Sequence, residues 1–252
     1  MLPDRSLFSI FSSYARLEIL FLLGNQPYSL SELTKTLGSI SKSEVSRHLA
    51  RLGEQGLVEK EAFSGKDYTL TSFGETVTSL ITPIGFLSEN DAFFRDHSLS
   101  DLPAELLFKI DALKSAKMVN GASKVVVALK ECLDSAKEEL WAMYNAALPF
   151  RNSKIHKARL IVRPDYYSNE ILTGKHKEQF DNLRRESTAF RLLPVIKVGI
   201  AIFDRGESAI ISFPRVKENI TDMTTIFVVE ERVGMKYVKN TWKYFWNLAK
   251  PA

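Results

Sequence analysis

The chain has 252 residues, 45% of them hydrophobic and 25% charged, enough apolar material for one large folded domain or two small ones. No apolar run approaches the roughly 18 residues that span a bilayer, which argues against a membrane protein. One cysteine, Cys132, excludes an intramolecular disulfide and a cysteine-rich metal site, and four scattered histidines (48, 97, 156, 176) show no ligand spacing. These features place the protein in the cytoplasm, with no cofactor or metal. The net charge of +4 is unevenly spread: residues 1–90 hold 8 Lys and Arg against 10 Asp and Glu, and residues 91–252 hold 26 against 20. Overall charge is therefore weak support for a nucleic-acid partner, and local geometry must carry that argument.

In chain order, apolar residues at steps of three and four predict one helix over 6–24, closed by Gly24 and Pro27. Ser29 with Glu32, and Ser41 with Glu44, form two capping-box patterns that open helices ending at Gly38 and near Gly56. Two alternating segments, LVEKEA and DYTLT, flank FSGK and read as a hairpin. Helices followed by a two-stranded ribbon give the layout of a winged helix-turn-helix over residues 1–74. Residues 75–117 read as a helical connector and a candidate dimerisation surface, with Pro83 and Gly85 expected to kink or split the first helix.

From 118 to 252, helices and strands alternate. Helices are predicted over 123–140, 168–187 and 234–250, with strands at LWAMYN, HKARLIVRP, AFRLLP, KVGIAIFD, SAIISFP and TTIFVVEE. The fold class is thus α+β: an N-terminal winged helix-turn-helix, a helical connector and a C-terminal α/β domain.

The helix beginning at Ser41 carries the functional argument. At 100° per residue, Val45, Leu49 and Leu52 share one side, while Ser43, Arg47, Ala50, Arg51 and Glu54 take the other, with Ser46 on a flank. Short hydroxyls near a helix start let the backbone approach a phosphate or a base edge, and the helix N-terminus favours an anion. Arg47 has the geometry to grip guanine O6 and N7 with two donors. The DNA-binding set is Ser41, Lys42, Ser43, Ser46, Arg47 and Arg51, with Lys66 at the hairpin tip. A solvated arginine face is the plainer reading of each residue taken singly. Glu44, Glu54 and the acidic Glu59–Glu61 strand oppose the DNA reading.

The run S-E-V-S-R-H-L-A-R-L-G-E-Q-G-L-V resembles the winged helix of ArsR-type and MarR-type regulators. The later segments, DLPAELLFKIDAL through GIAIFDRGESAIISFP, resemble the C-terminal domain of archaeal regulators of the methanogenesis-regulator (FilR-like) type, itself similar to half of the phospholipase D fold. The resemblance implies a transcription factor, not an enzyme. Phospholipase D chemistry needs H-x-K-x-x-x-x-D, and none of the four histidines is followed two residues later by Lys. The partners it implies are double-stranded DNA, a second copy of the chain and a small-molecule effector. Candidate effector-binding residues are Arg163, Tyr166, Tyr167, Asp204 and Trp242. For the basic stretch 151–163 the plain reading is solvated cations, and for the aromatic stripe of the last helix it is core. A protein-binding adaptor and a phosphodiester-acting enzyme are the alternatives.

Overall fold

The computed structural model describes residues 5–61, 65–145, 155–172, 188–204 and 206–252. It divides into two compact units, Met1–Gly85 and Phe86–Ala252. The expected connector over 75–117 is therefore shared out: its first residues belong to unit 1, and the rest packs into the core of unit 2.

In unit 1 the order is α1 (Arg5–Phe11), α2 (Tyr14–Leu23), β1 (Tyr28–Ser29), α3 (Leu30–Leu37), α4 (Lys42–Glu54), β2 (Val58–Lys60), β3 (Asp67–Leu70) and the start of α5 (Ser72–Glu89). The single helix expected over 6–24 is two helices. Ser13 is extended, with φ −120° and ψ 117°. The carbonyls freed at the break are taken by Arg16, whose Nε donates to Ile10 O at 3.1 Å and Nη2 to Ser9 O at 2.6 Å. Arg16 is itself buried. The apolar period continued through the break and concealed it.

Both capping boxes form. Glu32 N donates to Ser29 Oγ and Ser29 N to Glu32 Oε2, and the same pair of bonds joins Ser41 and Glu44. The strand β1 has no period to announce it. It exists because Tyr28 and Ser29 pair with Tyr68 and Asp67 of β3, giving a three-stranded sheet in the order β1-β3-β2. Val45, Leu49 and Leu52 of α4 meet Ile19, Leu20, Leu33, Leu57 and Val77 in one apolar core. Gly74 opens α5 where a Cβ would stand 1.9 Å from Leu57 O, so the helix and the β2 hairpin close only on glycine. Pro83 neither splits nor ends α5, which runs to Glu89. The break falls at Asn90, whose Nδ2 caps Phe86 O at 2.9 Å, before α6 (Asp91–Asp96).

Unit 2 is an eight-stranded mixed sheet in the order β11-β7-β6-β5-β8-β9-β10-β4. Its strands are β4 (Lys117–Asn120), β5 (Glu139–Met143), β6 (Lys157–Val162), β7 (Thr188–Leu192), β8 (Gly199–Phe203), β9 (Ser208–Ser212), β10 (Thr225–Val229) and β11 (Lys250–Pro251). The strands β5, β6 and β7 run parallel, and the other pairings are antiparallel. Every residue of β8 is buried, as a central strand covered on both faces requires. Its alternation divides the core. Ala201 and Phe203 face α8 (Ala122–Ser135), with Val125, Leu129 and Leu133. Ile200 and Ile202 face α7 (Ala104–Leu107), a 3₁₀ turn (Ile110–Leu113) and the last long helix, with Phe86, Leu106, Ile110, Val238 and Trp242. The helix expected over 123–140 stops at Ser135, because the chain must turn into β5 at Glu139. Of the helix expected over 168–187, only a short turn is described: α9 (Pro164–Tyr166) continuing as a π turn (Tyr167–Leu172). Residues 173–187, with His176 and Lys177, lie outside the described residues, as do Arg151, Lys154 and Arg205. The closing helix α10 spans Arg232–Leu248.

Candidate nucleic-acid interface

The helix α4 sits in unit 1 as its sequence required. Val45, Leu49 and Leu52 are at most 3% exposed. Ser41, Lys42, Ser43, Ser46, Arg47, Ala50, Arg51 and Glu54 are all exposed, so the whole predicted face is presented outward within this unit. Three buried leucines and valines fix the helix rotation, and roughly 1.5–3 kcal/mol per buried side chain holds it there.

At the helix start, the Oγ atoms of Ser41 and Ser43 lie 3.0 Å apart, and Ser41 Oγ also donates to Glu44 Oε2 at 2.8 Å. Ser41 is thus first a structural cap, with its hydroxyl at the surface. Glu44, one of the acids that opposed the DNA reading, is drawn into this cap. Hydrogen bonds from the Ser41 backbone and hydroxyl hold its carboxyl below the usual range, with a smaller contribution from Arg47. The Arg47 Nη2 to Glu44 Oε1 separation is 3.9 Å, and Arg47 keeps 70% of its side chain exposed, so the pair leaves the guanidinium available. Lys66 is exposed beside Gly65 in the wing, and Lys60 lies over the Tyr68 ring at 5.8 Å.

One member of this surface was not legible beforehand. His48 is half-buried beneath the α4 face. Its pKa is lowered by burial and then by the charges of Arg16, Arg51 and Arg47, and its Nδ1 has no hydrogen-bond partner. It is a neutral ring at pH 7 under a positive field. Nothing in the spacing of four scattered histidines signals this, because the field comes partly from Arg16, thirty-two positions earlier on α2.

The five residues singled out in unit 2 do not form one site. Arg163 follows β6, level with Asn145 when the Met143–Ile161 register is continued. Asp204 follows β8, whose Phe203 pairs with Leu140 at the other end of β5. Along the strands that is a separation of about 20 Å. Tyr166 and Tyr167 pack on the α8 side, whereas Trp242 is 1% exposed in the opposite core, between Trp141 and Trp246. Asp204 is occupied structurally. Its carboxylate accepts the backbone N–H of Lys137 at 2.7 Å, Glu138 at 2.8 Å and Glu139 at 3.1 Å, pinning the start of β5. Burial works against ionisation there, but those three bonds prevail and hold the carboxyl low. Arg163 Nη2 donates to Asp165 at 2.8 Å. The basic stretch around β6 is likewise tied to acids, Lys157 to Glu138 and Arg159 to Glu139. Cys132 lies in the α8 core, and burial pushes its thiol up.

Residues 13–60, covering α2 to β2, match the sequence profile of the bacterial regulatory proteins of the arsR family. Unit 1 is therefore similar to the helix-turn-helix of that family over these residues. No curated protein sequence matches the chain. Among solved structures, TrmBL2, described as an archaeal chromatin protein with a novel mode of DNA binding, aligns at 13% identity over 95% of this chain and 93% of its own, with a TM-score of 0.42. HlyU from Vibrio cholerae aligns at 30% identity over 31% of this chain and 87% of its own, with a TM-score of 0.28. NucT from Helicobacter pylori aligns at 9% identity over 55% of this chain and 99% of its own, with a TM-score of 0.40. No helix among the described residues is long and apolar enough to cross a membrane.

Proposed function

We propose that the protein is a sequence-specific DNA-binding transcriptional regulator that reads duplex DNA with α4 and is tuned through unit 2. The observation that carries this is the face of α4: apolar beneath, and outward-facing Ser43, Ser46, Arg47 and Arg51 above, inside a domain of an arsR-family pattern. In this arrangement α3 braces α4 across the backbone, Arg47 reads a base edge, the serines and Lys42 contact phosphates, and Lys66 reaches the flanking backbone.

A second copy of the chain completes the operator reading. Phe73, Leu80 and Ile84, at helical steps along α5, are 51%, 51% and 64% exposed, and Phe8 and Tyr14 add apolar area in the same unit. Such a stripe supports a homodimer on a two-fold operator, with half-sites one helical turn or a multiple apart. Unit 2 regulates by binding an effector that distinguishes the DNA-competent shape from the incompetent one.

The test is selection of bound fragments from genomic DNA, followed by binding across a salt series. Affinity should fall linearly on log scales, with a slope set by the number of phosphates contacted. A flat salt dependence with no selected sequence would overturn the DNA reading and leave the protein-binding adaptor as the alternative to test.

A further inference from the structure

At the carboxyl ends of β5, β6 and β7, where open α/β sheets generally hold ligands, the space is taken. Gly199 pairs with Ser212, and continuing the Met143–Ile200 register by one step sets Tyr144 in the same row. A Cβ on Gly199 would stand 2.4 Å from Ser212 Oγ and 2.5 Å from Tyr144 Cε1, so buried side chains close over bare backbone there. The open space lies at the amino ends of the same strands. Glu139, Trp141, Lys157, Arg159, Ala189 and Trp246 line a cavity of about 640 Å³. That is room for a small organic molecule.

Trp141 pairs with Arg159 across β5 and β6, and Arg159 with Ala189 across β6 and β7. Strand alternation puts this row on the face of Met143 and Ile161, the α10 side of the sheet. The last turn of α10 adds Trp246. Arg191 fastens that turn: its Nη1 donates to Trp246 O at 2.6 Å, and its guanidinium lies over the Trp246 ring at 4.7 Å. Ala189 puts only a methyl where its row neighbours put a guanidinium and an indole.

Arg159 is held in place but not used up. Its guanidinium lies over the Trp141 ring at 4.9 Å, and its Nε stands 3.8 Å from Glu139 Oε1. Glu139 is buried and already accepts the Trp141 Nε1–H at 2.9 Å. The Nη groups of Arg159 make no hydrogen bond to a described residue, and 48% of the side chain is exposed. A flat guanidinium fixed on an indole is a pre-organised fork for a planar carboxylate.

The surroundings narrow the ligand. Lys157 is paired with Glu138, and Glu139 stands beside Arg159, so the cavity has no surplus of positive charge for a phosphate chain. One negative charge fits. Trp242 lies over Trp141 and Trp246 at 4.7 and 4.6 Å, so with the two arginines the indoles offer ring edges to the cavity. Those edges are the positive side of the ring quadrupole and suit the face of another aromatic ring.

We infer that this cavity binds a small aromatic monocarboxylate, its carboxylate on the Nη fork of Arg159 and its ring against Trp141, Trp246 and Ala189. This rests on the reading of unit 2 as the effector-binding domain, and it names the site and the chemistry of the effector.

All three tryptophans of the chain stand in this stack, so its intrinsic fluorescence reports on the site alone. The experiment titrates the full-length chain with benzoate, phenylacetate and cinnamate by fluorescence and calorimetry, with benzamide, acetate and AMP alongside. At least one aromatic acid should bind and change the emission, about tenfold or more tighter than the other probes. Arg159→Gln should weaken that binding about tenfold or more by removing the fork. Ala189→Leu should block it by filling the gap, and because Ala189 is exposed this variant should keep its Tm. The inference is overturned if none of the aromatic acids binds, if benzamide, acetate or AMP binds as tightly, or if either folded variant binds as the wild type does. Binding that leaves DNA affinity unchanged upholds the site and overturns only the regulatory reading.

Discussion

The helices α4 and α10 start from the same design and end in different uses. Both are amphipathic, and both lay one stripe on a core. In α4 the stripe is three aliphatic residues, and the outward face combines short hydroxyls with arginine. In α10 the stripe includes Met235, Val238, Trp242 and Phe245, and the outward face carries Lys236 and Lys243. A narrow stripe leaves most of the cylinder free to enter a groove. A wide aromatic stripe commits the helix to the sheet, where Trp242 stacks between Trp141 and Trp246 at centroid distances of 4.7 and 4.6 Å. The outward chemistry differs for the same reason. Serine and arginine form directed bonds at short range, whereas lysine is a hydrated point charge that keeps a packed helix soluble. The width of the buried stripe, more than the charge above it, separates the proposed reading helix from the scaffolding one.

The comparison can be broken at either helix. Trp242→Ala should cost on the order of 3–5 kcal/mol in the denaturant unfolding of the chain, since a fully buried indole leaves a cavity between two others. Unfolding unchanged within error would mean that α10 is not the wide-stripe partner described above. Arg47→Ala should behave in the opposite way. Stability should stay within about 0.5 kcal/mol, while DNA affinity falls by about 1–3 kcal/mol and base preference relaxes at one position of the half-site. Retention of both affinity and preference would remove α4 as the reading helix.

Acid should then separate the units. Burial alone would raise the Asp222 carboxyl, but hydrogen bonds from His97 and Thr224 and the charge of Arg215 bring it down to about 2. A carboxyl lowered on folding adds stability above its unfolded value, and that stability is lost as pH falls through the folded one. Unit 2 should therefore lose about 2 kcal/mol between roughly pH 5 and pH 2, and Asp222→Asn should flatten that slope in melting curves taken across the range. The smallest effect belongs to the cap. Ser41→Ala should cost about 1 kcal/mol of stability by releasing one N–H of the first turn, and should also weaken DNA binding, because the same hydroxyl opens the candidate interface.

Much of unit 1 could be read in advance because its signals are local. Ser41 with Glu44, Gly38 after α3 and the steps from Val45 to Leu52 each act within one or two turns, so the helix, its start and its outward face followed from the order of residues. The split at Ser13 did not, since it depends on Arg16 folding back to carbonyls six and seven positions earlier. Strand β1 did not either, because two residues acquire a strand conformation only by pairing with β3, forty positions away. In unit 2 the alternation of strands and helices was legible, but the grouping of Arg163, Tyr166, Tyr167, Asp204 and Trp242 was not. Their separation depends on strand register and on which face of the sheet each side chain takes.

The residue order by itself determined the helix-turn-helix, its caps and the chemistry of the α4 face, because backbone periodicity and capping are settled between near neighbours. Only the tertiary structure decided that Asp204 serves β5, that Trp242 belongs to the core, and that Tyr144, Gly199 and Ser212 share one row. Those relations join residues as many as 101 positions apart, as Trp141 and Trp242 are, and pairing within the sheet and packing upon it set them, not distance along the chain.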